Sequence, residues 1–274
     1  MAIKVVSSIV LTLSTQSSGE FSMGKIMAIF NQAGGVAKTT LAMNLGYHLG
    51  KLKQRVLMID MDPQASLTLF CGLEPFDLTQ TIYESLVLEQ PAPIQSLSDL
   101  KFELIPSNIN LSGAEIELVN ADLRDFRLRD AIAPLENQYD FIIIDCPPSL
   151  GILSYISLVA ATHILVPIAT QYKAWMGTEL LLRTVKRIQG KANKELKLAG
   201  FVPTLFAKAN SQDCRALNAI SEQLSLIAPI FPALPRSTAF ADAVEEHLPL
   251  ALYQPKHPAV APLTQLANYC LKKL

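Results

Sequence analysis

The chain has 274 residues, half of them apolar and 17% charged, with 23 Lys and Arg against 24 Asp and Glu and a formal net charge of −1. This composition excludes an intrinsically disordered chain and predicts a sizeable core. It also excludes a global positive field, so any nucleic-acid contact has to come from a local basic patch. Cys71, Cys146, Cys214 and Cys270 are scattered, form no C-x-x-C pair and have no histidines at ligand spacing, which sets aside disulfide and zinc frameworks. No apolar run approaches the roughly 18–20 residues of a membrane span. The reading is a soluble, reduced, cytoplasmic protein.

Lys4 followed by Val5–Leu13 imitates a signal peptide, but the stretch is short, is broken by Ser7 and Ser8, and leads towards a glycine-rich loop; export is rejected. Ser14–Ser22 is linker-like, and Met23 opens the first well-patterned strand. Residues 1–22 are therefore read as a disordered or start-site extension, and 23–274 as a single domain. Apolar runs at Ile26–Phe30, Arg55–Ile59, Phe141–Ile144, Ile164–Val166 and Leu198–Val202 alternate with helical patterns, among them Thr40–Lys51 and Thr178–Lys197. Strands that alternate with helices predict an α/β fold, a doubly wound and mostly parallel sheet with helices on both faces. Ligands of such a fold sit at the carboxyl ends of the strands.

Three motifs fall on that rim. After the first strand comes Asn31-Gln-Ala-Gly-Gly-Val-Ala-Lys38-Thr39-Thr40, then a helix. Gly34 and Gly35 permit tight curvature, so the backbone N–H groups from Gly34 through Val36 and Ala37 to Thr40 can point at a phosphate, aided by the helix dipole. Lys38 can reach the β- and γ-phosphates and Thr39 can ligate Mg²⁺. The strict G-x-x-x-x-G-K-[ST] pattern fails, because Gln32 and Ala37 occupy its glycine positions. The second strand ends in Asp60-Met-Asp62-Pro-Gln-Ala65, and a later one in Asp145-Cys-Pro-Pro-Ser149. A carboxylate at the end of a buried strand is costly unless paired, hydrogen-bonded or metal-bound, so Asp60 and Asp145 on one rim point to Mg²⁺.

These motifs, together with Ile105-Pro-Ser-Asn-Ile-Asn-Leu111, Gly113-Ala-Glu-Ile-Glu-Leu118 and Leu234-Pro-Arg236, give a sequence that resembles the ParA/MinD family of deviant Walker-box ATPases from about Met23 to the C-terminus. The resemblance implies a single ParA-type, deviant P-loop ATPase domain that uses ATP and Mg²⁺. It implies that Lys38 binds the β/γ-phosphates, that Thr39, Asp60 and Asp145 serve the metal, and that Asp62 orients or activates the attacking water. Positioning and charge neutralisation supply most of the catalysis in phosphoryl transfer.

The family's usual loop reads K-G-G, with a first lysine that crosses a two-fold interface to the partner's nucleotide; here that position is Ala33. Three readings compete: another cation replaces it, dimerisation proceeds without it, or the chain is a monomeric or inactive relative. Replacement is favoured, with Lys173 in the loop after Ile164–Val166 as candidate trans-acting lysine; a solvated loop lysine is the other reading. The lost lysine resembles the ParA-type branch that distributes carboxysomes over the nucleoid.

The predicted helix Thr178–Lys197 places Arg183, Lys186, Arg187, Lys191 and Lys194 at three- and four-residue spacing on one face. A solvated amphipathic face would look the same, and the resemblance raises non-specific DNA binding above it. The C-terminal segment Leu263–Leu274 carries two lysines only, and reads as a closing helix packed on the sheet, with membrane binding as the minor alternative. The expectation is a nucleoid-associated ATPase that forms a homodimer on ATP, binds DNA non-specifically and is released when an adaptor protein stimulates hydrolysis. The expected cargo is carboxysomes; plasmid or chromosome partition and a MinD-like membrane-cycling regulator are the alternatives.

Overall fold

The computed structural model describes residues 24–171 and 176–274. In chain order its elements are β1 (Lys25–Ile29), α1 (Lys38–Lys51), β2 (Val56–Asp60), α2 (Ser66–Phe70), α3 (Ile82–Val87), β3 (Gln95–Leu97), β4 (Phe102–Ile105), α4 (Leu111–Glu117), α5 (Arg127–Ile132), β5 (Phe141–Asp145), α6 (Ile152–Ala160), β6 (His163–Ala169), α7 (Met176–Lys191), β7 (Lys197–Thr204), α8 (Ser211–Leu224), α9 (Ala239–Glu245), α10 (Leu250–Tyr253) and α11 (Val260–Lys273). The strands form one sheet in the order β3-β4-β2-β5-β1-β6-β7. Every pairing is parallel except that of β3 with β4, so the chain has the doubly wound α/β fold its alternation predicts.

The middle strands are buried on both faces, which is why they read as unbroken apolar runs. Successive side chains still point to opposite sides. Ile26, Ala28, Ile142 and Ile144 join one core layer, with α5, α6 and α7 over them. Met27, Ile29, Met58 and Ile143 join the other, against α1 and α11. The C-terminal helix does close on the sheet: α11 packs beside α1 and buries Leu263, Leu266, Ala267 and Cys270. Gly50 lets α1 lie this close to the sheet, since a Cβ there would stand 2.0 Å from the Lys101 carbonyl oxygen.

The register positions the chemistry. Ile29 pairs with Asp145, and Asp60 pairs with Asp145, so the carboxyl ends of β1, β2 and β5 lie level with one another.

Two readings of the sequence need correction. The helix expected over Thr178–Lys197 spans Met176–Lys191, and Lys194 lies in the turn before β7. Asn193 ends it: its side-chain amide donates to the carbonyls of Leu158, Val159 and Ala161, while its backbone N–H donates to Ile188. These bonds tie the turn to the end of α6. The sheet also has β3 and β4, which the sequence reading passed over; β4 is only four residues long and Pro106 follows it.

Candidate nucleotide site

Residues 31–40 bridge β1 and α1. Asn31 anchors the start of the loop: its amide donates to the Pro167 carbonyl at 2.7 Å and its side-chain oxygen accepts from Ala33 N at 3.0 Å. Thr204, at the end of β7, donates to the Val36 carbonyl at 3.1 Å. The loop is thus fixed from β6 and β7. Gly35 has φ +68°, a left-handed conformation that glycine adopts without a Cβ penalty. Ala37 takes φ 65° and ψ 37° at the start of α1. The backbone therefore keeps the turn of a glycine position even though the residue is alanine, at a cost of about 1–2 kcal/mol. A Cβ added at Gly34 would meet only Pro148, at 4.0 Å, so the space over this exposed glycine is open to a ligand.

Lys38 is 7% exposed, and its Nζ donates back to the Ala33 carbonyl at 2.8 Å. Burial lowers its pKa, opposed by the negative charge of Asp145 close by. An anionic ligand in the cleft would favour the charged form further. Gly34, Gly35, Thr39, Asp62 and Pro148 share this cleft with Lys38. Larger concavities lie between α3 and α5 and along α8, away from all three motifs; chemistry rather than size marks the site.

The two strand-terminal aspartates are both fully buried. Asp60 is satisfied: Oδ2 accepts from Thr68 N at 2.9 Å and Thr68 Oγ1 at 2.8 Å, and Oδ1 from Asp62 N at 3.1 Å. Burial still pushes its carboxyl up to about 6, against these donors. Both oxygens of Asp145 are buried with no hydrogen-bond partner among the described residues. Burial and then the neighbouring Asp60 charge raise its pKa well above the carboxylate range, while the Thr39 hydroxyl and Lys38 oppose the shift. A buried carboxylate without donors, next to a hydroxyl and a second carboxylate, is an oxygen donor set of the kind that hard divalent cations take. The residues present fit Mg²⁺.

The structure brings Gly34 to Thr40, Asp60, Asp62 and Asp145 together. Lys173 lies outside the described residues, as do residues 1–23. Arg183, Lys186, Arg187 and Lys191 are exposed along α7 while Leu181, Thr184, Val185 and Ile188 are buried; Lys194 is exposed just beyond the helix. Arg183 donates to Glu179 at 2.6 Å, with both side chains 74% exposed. Such a pair is worth about 0.3–0.5 kcal/mol and leaves Arg183 free to exchange partners. Sequence reasoning gave no role to Asn31, Thr68, Ser107 or Thr204. Asn31 and Ser107 sit inside motifs already recognised, whereas nothing local in the sequence signals Thr68 or Thr204.

A glycine-rich loop entering a helix, with a buried lysine and two acidic strand ends beside it, defines a P-loop nucleotide site on a doubly wound sheet. A family model described as an AAA domain matches residues 24–198. The chain is 43% identical to the chromosome partitioning protein ParA of Myxococcus xanthus (strain DK1622) over 197 residues, 70% of this chain and 69% of that one. It is 35% identical to the sporulation initiation inhibitor protein Soj of Bacillus subtilis (strain 168), over 85% of this chain and 93% of that one. Its fold is similar to the ATP complex of an McdA variant from Cyanothece, with a TM-score of 0.82 and 26% identity over 92% of this chain and 98% of that one. It is also similar to cobyrinic acid a,c-diamide synthase from Mycobacterium smegmatis with bound ATP analogue and magnesium, with a TM-score of 0.80 and 31% identity over 90% and 94%. The chain belongs to the ParA/MinD family of P-loop ATPases and has ParA and Soj among its relatives.

Proposed function

We propose that this protein is an Mg²⁺-dependent ATPase of ParA type, which dimerises on ATP, binds nucleoid DNA without sequence preference and leaves it when an adaptor stimulates hydrolysis. The observation that carries the reading is the buried pair of Lys38 and donor-free Asp145 at the end of a glycine-rich loop. In this reading the N–H groups of Gly34 to Thr40 and the Lys38 ammonium hold the phosphates, Thr39, Asp60 and Asp145 serve Mg²⁺, and Asp62 orients the attacking water. When bound, the metal neutralises charge on the phosphates during phosphoryl transfer. The exposed cations of α7, with Lys194 beyond it, form the DNA face. Two copies presented together raise the affinity of such a face, and salt lowers it steeply.

Relatives at 35–43% identity named for chromosome partitioning and Soj support a DNA cargo. Carboxysome distribution is the second reading, supported by Ala33 in place of the family's first loop lysine and by the likeness to McdA. The protein acts in the cytoplasm on the nucleoid in either case. No helix among the described residues is long and apolar enough to cross a membrane.

Light scattering with Mg²⁺ and a non-hydrolysable ATP analogue tests the switch. A doubling of the 30.0 kDa mass in wild type and not in Lys38→Ala is expected; a mass that nucleotide leaves unchanged refutes ATP-driven dimerisation. The same comparison for Lys173→Ala tests whether this lysine replaces the one missing at Ala33.

A further inference from the structure

Asp60 and Asp145 end neighbouring strands in register, yet their surroundings differ. Asp60 accepts three hydrogen bonds and Asp145 accepts none among the described residues. The difference traces to Thr68, which is fully buried in α2. A hydroxyl has one proton to give and lone pairs to accept with. Thr68 Oγ1 accepts from Ser107 N at 2.9 Å, which orients its lone pairs towards β4 and leaves its proton for Asp60 Oδ2. Ser107 Oγ in turn donates to the Asp62 carbonyl at 2.9 Å, and Asp62 N returns to Asp60 Oδ1. The four residues close a ring across the end of β2, the loop after it, α2 and the loop after β4.

We propose that Thr68 is a positioning residue of the metal site. It pins Asp60 against α2, so that Asp60 would serve the cation as a fixed charge while Asp145 and Thr39 would be free to hold it. The inference rests on the nucleotide-site reading above. Groups that orient a metal's neighbours typically cost about 10- to 100-fold in metal affinity when lost.

The test measures binding of a fluorescent ATP analogue to the full chain, titrated with Mg²⁺ and repeated in EDTA. Thr68→Val is expected to raise the Mg²⁺ concentration at half-effect about 10- to 100-fold and to leave the affinity in EDTA unchanged, while Thr68→Ser restores the wild-type midpoint. Thr68→Cys, which keeps a side chain of similar size but donates weakly, shifts the midpoint in the same direction and serves where the valine variant does not fold. An unchanged Mg²⁺ midpoint in Thr68→Val and Thr68→Cys overturns the proposal. Parallel losses with and without Mg²⁺ overturn it too, since a packing defect alone would produce them. Wild type that binds no nucleotide overturns the underlying reading and this inference with it, an outcome distinct from the other two.

Discussion

Replacing Asp145 by asparagine should make the metal-free protein more stable and the liganded protein worse. Asp145 is fully buried, has no hydrogen-bond donor and pairs in register with a second carboxylate. Asp60 sets the scale: even with three donors its carboxyl moves from 3.8 to about 6. At about 1.4 kcal/mol per pKa unit, that displacement amounts to about 3 kcal/mol against the ionised native state. Asp145 is displaced in the same direction, with only the Thr39 hydroxyl and the Lys38 charge opposing burial and the Asp60 charge. Asparagine removes the charge but leaves an amide short of partners, at about 1–3 kcal/mol. On the Asp60 scale a net gain of about 0–2 kcal/mol remains at neutral pH, with Tm moving about 2–4 °C per kcal/mol for a chain of this size.

The pH dependence gives the prediction its sign. An acid whose native pKa lies above its unfolded value makes the folded state the tighter proton binder, so stability falls as pH rises from the unfolded pKa and the penalty is complete above the native one. Near pH 3.8 and below, Asp145→Asn should therefore be the less stable of the two by the amide's about 1–3 kcal/mol, and it should gain on wild type as pH climbs above 3.8 and the ionised form of Asp145 becomes the costly one. Subtracting the two curves removes the other groups. His48 is among them: burial pushes its pKa down to about 4, and it slopes stability the opposite way, upward with pH to its unfolded value of 6.5. Thermal unfolding in EDTA across the range is the assay. A variant less stable than wild type at every pH, or a gap that pH does not move, refutes the argument. With Mg²⁺ and an ATP analogue, wild type should gain stability with the logarithm of ligand concentration above Kd, and the variant should gain little.

Lys38→Ala should abolish nucleotide binding, and retained affinity in equilibrium binding would place the phosphates elsewhere. Because Asp62 faces the same cleft as Lys38, Asp62→Ala should stall turnover with the ATP-bound dimer intact; undiminished phosphate release argues against its role. Changing Arg183, Arg187 and Lys191 together to Glu should remove DNA binding at low salt while sparing basal ATPase activity, since all three lie on the exposed face of α7. Ala37→Gly should change stability by no more than about 1 kcal/mol, because relief of the left-handed strain is offset by the entropy glycine loses; denaturant unfolding decides this.

Much of the fold was legible because the strands that carry the site are buried on both faces. Phe141–Asp145 reads as a strand from its apolar run alone, and an acidic residue at its end is conspicuous against that run. Elements held by long-range bonds were not legible. β4 is recognisable only beside β2, and the end of α7 depends on Asn193 reaching the carbonyls of α6, more than 30 residues away in sequence. The basic stripe survives this correction, since four of its five cations remain on the helix and Lys194 follows in the adjoining turn.

The site divides along the same line. Spacing singled out residues that line one cleft, because their types are those the proposed phosphate and metal chemistry would call for: glycine for approach, lysine for charge, aspartate for the cation. Spacing could not separate Asp60 from Asp145, since each is an aspartate closing an apolar strand. What separates them is a hydroxyl eight residues beyond Asp60 and a backbone N–H from the loop after β4. The failed glycine positions carry a related lesson. Ala37 breaks the sequence pattern but adopts the left-handed backbone that the pattern exists to permit, so the loop's geometry is imposed by its anchors at Pro167 and Thr204 as well as by its glycines. Loosening those anchors should therefore harm phosphate binding more than restoring glycine at Ala37 would help it. Thr204→Val, which removes the bond to the Val36 carbonyl and leaves the cleft residues untouched, should weaken nucleotide binding without altering its Mg²⁺ midpoint, the opposite signature to Thr68→Val; an unchanged nucleotide affinity would show that the glycines suffice.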